Sequence, residues 1–311
     1  PAAIAVDMAM QPVSPLSVIE HNLGLFFLWM FISLLTVFIV FFVSISRFAE
    51  RKLDPVLVKM KHYAPAVSRM TVGLSFLAGA YYQASYGPEL PMAPAFGAYT
   101  PVAVGVLAFI GVLIIAGLWT RFAAAVAFCF YFYAVYRNGA YMLTYTNYLG
   151  ELIVLLLIGG HKLTVSGAPH PRMEALSEKL KPYSFFILRV FFGIALIYTS
   201  MYAKFQHSTL AFDVVEKYHM TSFFPFEAHF FVLGAGIIEI VIGMFFVLGI
   251  EIRFTALFFL FWLTSSLIFF GESVWPHIVL MGIPVALLMH GYDKFSLEGR
   301  FFKVGDREPV L

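Results

Sequence analysis

Long apolar runs separated by short polar breaks dominate the chain. Nine such runs predict helices at about 22–46, 66–86, 100–119, 121–136, 143–160, 184–205, 227–249, 252–270 and 275–291. Most approach the roughly 20 residues a helix needs to cross about 30 Å of hydrocarbon. Pro101 and Pro276 stand at predicted helix starts, where a missing N–H costs little. The breaks at 117–121 and 249–253 are so short that the helices they join are antiparallel neighbours.

Composition agrees with a membrane protein. The chain of 311 residues is 61% hydrophobic and 12% charged, against roughly 25% charged in soluble domains. Its first twenty residues lack the basic and continuously apolar regions of a signal peptide. With nine spans, seventeen Lys and Arg residues fall on one side, and Arg137, Lys204 and Lys217 on the other. That asymmetry predicts an N-terminus outside and a C-terminus in the cytoplasm, most simply in a bacterial inner membrane with the N-terminus periplasmic. The basic stretches 50–65 and 161–183 are expected as loops against anionic lipid. AFDVVEKYH, within the outer stretch 207–229, is expected as a short amphipathic helix. Cys129 lies in an apolar run and is expected as a small core residue. No Cys/His cluster suggests a metal site, and nothing suggests nucleic-acid binding.

The chain repeats itself. GLWTRF (117–122) and GIEIRF (249–254) share a Gly-x-x-x-Arg-Phe frame 132 residues apart. GGHKLTVSG (159–167) falls over HGYDKFSLEG (290–299) at a matching offset, and SRMTVG (68–73) over LRVFFG (188–193) at an offset of 120. The expected architecture is all-α: a leading helix and two parallel four-helix units. Residues 1–65 carry the N-terminus, first helix and basic loop; 66–167 the first unit; 168–185 a linker; 186–299 the second unit; 300–311 a tail.

The second unit, LRVFFGIALIYTSMYAKF followed by GAGIIEIVIGMFFVLGIEIRF, resembles the DoxX-like membrane family. The residues carrying the likeness are Arg189, Gly193, Lys204, Glu239, Gly243, Gly249 and Arg253. The first unit is a worn copy, with Leu107 in place of the acid and Ala84 or its neighbours in place of the lysine. The resemblance implies a likeness to the membrane subunit of thiosulfate:quinone oxidoreductase (DoxD), and to members that accompany redox enzymes or act in assembly. It carries fold further than chemistry.

Polar residues inside the runs are the candidate chemistry. Glu239 lies roughly 18 Å from the basic end of its helix, with Gly236 and Gly243 on the same face. A glycine face is where a neighbouring helix approaches, so Glu239 points into the bundle and Lys204 is its expected partner. Lys204, Glu239, His207 and His277 fit one layer in the outer half of the membrane. Two readings stand. The pair is a lock between helices, or it borders a pocket that binds a quinone head group or relays protons. In the second reading Glu239, Lys204 and His277 are catalytic, and Trp275, Tyr198, Tyr202, His207 and Glu151 are cofactor-binding. Glu151, with Asn147 and Tyr148 within a turn, is a second buried acid and equally a packing device. The nine histidines form no facing pair, so haem is not expected. The functional expectation is a quinone-linked subunit of a redox complex, with lipid and other subunits as partners. The alternatives are a non-catalytic anchor or assembly factor, and a small-solute transporter.

Overall fold

A computed structural model describes residue 17 and residues 26–159, 171–223, 227–270 and 275–302. Among them every regular element is helical, apart from one isolated bridge between Ala84 and Pro91. The helices are α1 (Phe26–Met60), α2 (Ala64–Tyr81), α3 (Met92–Phe96), α4 (Thr100–Ala116), α5 (Thr120–Asn138) and α6 (Thr146–Ile158). They continue as α7 (Pro171–Leu180), α8 (Ser184–Ser200), α9 (Ser208–Lys217), α10 (Met220–Phe223), α11 (Ala228–Leu248), α12 (Ile252–Phe270) and α13 (His277–His290). Among the described residues, four helical stretches are long and apolar enough to cross a membrane: Met92–Ala116, Thr120–Ile158, Ala175–Gln206 and Ala228–Leu248. Leu35–Ser46, Ile252–Ile268 and His277–His290 are shorter apolar helices. This is an all-α, multi-pass membrane protein.

The framework forms two compact units. One is Pro1–Val40 with Ile197–Val241; the other is Phe41–Leu196 with Ile242–Leu311. The N-terminal stretch, His161, Lys162 and Gly167 lie outside the described residues.

The larger unit is held at its basic end by guanidinium groups on helix C-termini. Such an end leaves four carbonyls without partners, which water cannot reach inside a bundle. Arg121 donates from Nε to Leu156 O (3.2 Å) and from Nη2 to Leu157 O and Ile158 O, closing α6. Arg253 donates from Nε to Leu288 O, also at 3.2 Å, closing α13. Arg189 donates from Nη1 to Phe246 O and Val247 O, closing α11, and pairs through Nε with Asp293 at 3.0 Å. Gly117 (φ +72°) and Gly249 (φ +70°) end α4 and α11 in the left-handed region, where only glycine sits without cost. The Gly-x-x-x-Arg frame thus reads as a left-handed helix stop followed by an arginine that closes a different helix. The segment after α13 completes this end: Glu298 Oε2 accepts from Ile252 N–H at 2.8 Å, at the start of α12.

Above the arginines, glycines set the crossings. A Cβ on Gly73 (α2) would lie 2.9 Å from Gly111 O, and one on Gly193 (α8) 2.5 Å from Gly243 O. Real side chains are not found at these separations, so each backbone pair touches directly. On α13, a Cβ at Gly282 would collide with Thr71 of α2.

Two expectations are corrected. The stretch 50–60, expected as a basic loop, continues α1 to Met60 with Pro55 inside the helix. Phe42, Ser46 and Leu57 form its buried stripe. Phe42 meets Phe254 edge-on at 4.4 Å, and Asp54 pairs with Arg253 Nη1 at 2.5 Å, so this helix has partners that its own composition does not reveal. Cys129, expected in the core, is exposed on α5 in line with Phe122, Ala125, Phe132 and Tyr136. That stripe is the outward face of the helix, where apolar residues meet lipid rather than protein.

Gly193→Val inserts atoms between touching backbones and should destabilise by about 1–3 kcal/mol, as overpacking does, read as a lower melting midpoint in detergent. Gly105→Ala, where a Cβ meets nothing within 4 Å, should leave that midpoint unchanged or raise it. Arg189→Met leaves Asp293 buried without its cation and should lose about 3–5 kcal/mol. Arg189→Met with Asp293→Asn should lose less than the single variant.

Candidate functional site

Within the smaller unit, the end of α8 and the first half of α11 carry the candidate charges. After Ser200 the chain winds as a π-helix over Met201–Gln206, a form frequent at functional positions. Lys204 lies on it. Its Nζ donates to Glu239 Oε2 at 2.6 Å, with the two side chains 18% and 20% exposed. Two residues make that approach close. Gly236 lies one turn before Glu239, and a Cβ there would stand 2.8 Å from the Phe205 ring and 3.3 Å from Lys204 Cδ. Ser200 Oγ donates to Gly236 O at 3.1 Å, joining the two helices one turn below the pair.

Aromatic rings stack along the end of α8 and the π-helix, at positions that do not share the lysine's face. Tyr198 stacks on Tyr202 (6.2 Å, 23°), and Tyr202 on His207 (4.1 Å, 29°). His207 Nδ1 stands 3.3 Å from Tyr202 O. A carbonyl only accepts, so the tautomer that makes this bond carries its proton on Nδ1 and keeps a lone pair on Nε2. The amphipathic stretch forms α9, and Phe212 on it packs against His229 at 4.8 Å. Of the expected residues, this unit pairs Lys204 with Glu239 and, separately, stacks Tyr198, Tyr202 and His207.

Residues 184–272 match the DoxX family model. The matched DoxX segment runs from α8 to α12 and contains all seven residues that carried the resemblance. It covers a minority of the chain. None of the curated proteins and none of the solved structures compared with the chain matches it. Within the DoxX segment, Arg189, Gly193, Gly243, Gly249 and Arg253 build the helix frame, while Lys204 and Glu239 form an ion pair between its two long helices.

The remaining expected residues belong to the larger unit. Trp275 precedes α13; its ring lies against Gly79, and its indole N–H is buried without a hydrogen-bond partner among the described residues. His277 opens α13 behind Pro276. Glu151 is wholly buried on α6, and its Oε2 accepts from Ser68 Oγ. Asn147 and Tyr148 are buried beside it. Ser68, Ser75 and Glu89 were not among the expected residues. Ser68 and Ser75 are seven apart, two turns along one face of α2. Glu89 is the one acid in GPELPMAPAFGAY. Among the described residues no group of His, Cys, Asp and Glu could hold a metal ion.

The pair itself is open to a double-variant measurement. Lys204→Met should destabilise by about 2.5–3.5 kcal/mol, the insertion penalty of an unpaired charge. Adding Glu239→Leu should recover most of that loss in the detergent melting midpoint. A double variant no better than the single one would show that the two charges are not coupled.

Proposed function

We propose that this chain is the membrane subunit of a redox complex and that the Lys204–Glu239 pair is its quinone-binding centre. One observation carries the reading: an ion pair set between apolar helices, on a stretch that also carries a stack of flat rings, inside the segment that matches DoxX. A charge pair in hydrocarbon is expensive enough that such residues commonly mark function.

The residues fit a quinone head group. It needs a hydrogen-bond donor at a carbonyl oxygen, a group that exchanges protons, a flat surface and an apolar way in. Lys204 Nζ is the donor. Glu239 gives or takes the proton, and Lys204 stabilises its carboxylate when the proton has left. Phe205, whose ring lies against Gly236 next to Lys204, offers the flat surface, and Tyr198, Tyr202 and His207 stack along the same stretch. Both charged side chains keep partial exposure, the opening a head group would use. A bound quinone supplies the electron-accepting chemistry, which the chain's own side chains lack. Electrons then come from a partner subunit, in keeping with the single cysteine and the absence of a nucleotide motif. Trp275 and His277 carry no part of this proposal. The membrane is the bacterial inner membrane, with the pair in its outer half.

Glu239→Gln is the test, made on the complex purified from its own membranes. The amide keeps a hydrogen bond to Lys204 but cannot exchange a proton. Quinone-linked turnover should fall by about 10²–10⁴-fold, the usual contribution of a positioned acid–base group, with the complex still assembled. Loss of assembly at unchanged specific turnover would instead make the pair a lock and the chain an anchor.

A further inference from the structure

A second line of polar groups enters the larger unit. It begins at Glu89, exposed in the segment between α2 and α3. Glu89 Oε1 accepts from Tyr141 OH at 2.9 Å and from Tyr145 OH. The Tyr145 ring stands 6.0 Å from that of Tyr148. Tyr148 is 1% exposed, and its hydroxyl lies 2.5 Å from Ser75 Oγ. Glu151 follows one turn along α6, about 4.5 Å further by helical rise. It is 0% exposed, it accepts one hydrogen bond, from Ser68 Oγ, and its Oε1 is buried with no partner among the described residues.

Spacing aligns the line. Tyr145, Tyr148 and Glu151 recur every three residues, with Tyr148 and Glu151 on one face of α6, and Ser68 and Ser75 lie two turns apart on α2. Burial deepens along it, from an exposed carboxylate through a half-buried phenol to a sealed acid.

Packing alone explains part of this region but not the line. Tyr86 OH donates to Ala127 O, and Tyr131 OH to Met142 O. Those bonds end on carbonyls, which hold helices together and pass nothing on. The hydroxyls of the line meet groups that both give and take protons. Glu151 also differs from a lock. No cation pairs with it among the described residues, and one hydroxyl bond does not offset a full buried charge. A glutamine would serve a lock without that penalty.

We propose that Glu151 is a proton-holding site inside the membrane, loaded from solvent through Glu89, Tyr145 and the Tyr148–Ser75 pair. Water spans the two steps that no hydrogen bond spans, between the Tyr145 and Tyr148 hydroxyls and at Glu151 Oε1. A proton arrives at Glu89. Each hydroxyl donates its own proton onward, receives one from behind, and then rotates back. The carboxylate of Glu151 becomes a carboxylic acid, and no electron moves. The site supplies or removes protons for whatever reaction the chain supports, and it does not depend on the quinone reading.

The test is infrared spectroscopy on the purified full chain in detergent, whatever its quinone content. A buried carboxylic acid shows a C=O stretch above the amide bands that shifts in D2O. That band should be present in the wild type, lost in Glu151→Gln and kept in Glu239→Gln. Its shift on dilution into D2O should be slowed roughly tenfold or more in Tyr148→Phe and in Ser75→Ala, with melting midpoints close to wild type. These variants keep the acid and remove only the relay. Absence of the Glu151 band throughout the pH range in which the protein stays folded would overturn the proposal. So would exchange as fast in both relay variants as in the wild type.

Discussion

The carbonyls at helix ends packed inside a bundle need partners from the protein itself, and in this chain arginines supply them. A guanidinium has five donors in a fixed fork and stays charged, so one side chain can close several carbonyls while the helix dipole favours its charge. Arg121, Arg189 and Arg253 each leave one helix to close the end of another. They therefore bind elements together rather than merely capping their own. Two of them also recruit acids from far along the chain: Arg189 takes Asp293, and Arg253 takes Asp54. With its buried end neutralised in this way, a helix can stop inside the bundle, and the short connections at 117–121 and 249–253 become possible.

The same geometry recurs 132 residues apart. Arg121 on Leu156 O matches Arg253 on Leu288 O, and the positive φ of Gly117 and Trp119 matches that of Gly249 and Glu251. The Gly73–Gly111 crossing has its counterpart in Gly193–Gly243. The polar interior does not recur. Leu107 stands 132 residues before Glu239, and Ile283 the same distance after Glu151; both are fully buried apolar side chains. One frame thus carries two different polar insertions, each on a different helix of the frame. A frame fixed by terminal arginines and glycine crossings tolerates such changes because neither device uses the positions where the acids sit.

How much of this was legible varied with the range of the interaction. Apolar runs announced the helices because hydrocarbon leaves the backbone few other forms. The Gly-x-x-x-Arg frame was visible because its parts are local, although its mechanism was not: the carbonyls it closes lie 35 residues further on. The partner of Lys204 was legible from Gly236 and Gly243, which mark an approaching helix around Glu239. Asp54 was not legible as a structural residue, since its arginine is 199 positions away. Cys129 was misplaced for a general reason. Inside a membrane both faces of a helix are apolar, so hydropathy cannot separate the face against protein from the face against lipid. The tyrosines of α6 were visible, but hydroxyl partners on another helix, Ser68 and Ser75, give no signal in an apolar run.

The two acids on apolar helices meet the same physical demand by different means. Moving a carboxylate out of water is costly wherever it happens. Glu239 has an ammonium at 2.6 Å, and both groups stay about one-fifth exposed. Its charge is balanced locally, and the pair keeps partial exposure. Glu151 has a hydroxyl, no cation and no exposure. An ion pair suits a site that must orient and exchange with something outside the bundle. A sealed acid joined to hydroxyls suits only something small enough to pass between them. The polarity of each site therefore follows from what surrounds its acid, and that difference separates the two sites chemically although both acids sit on apolar helices of the same chain.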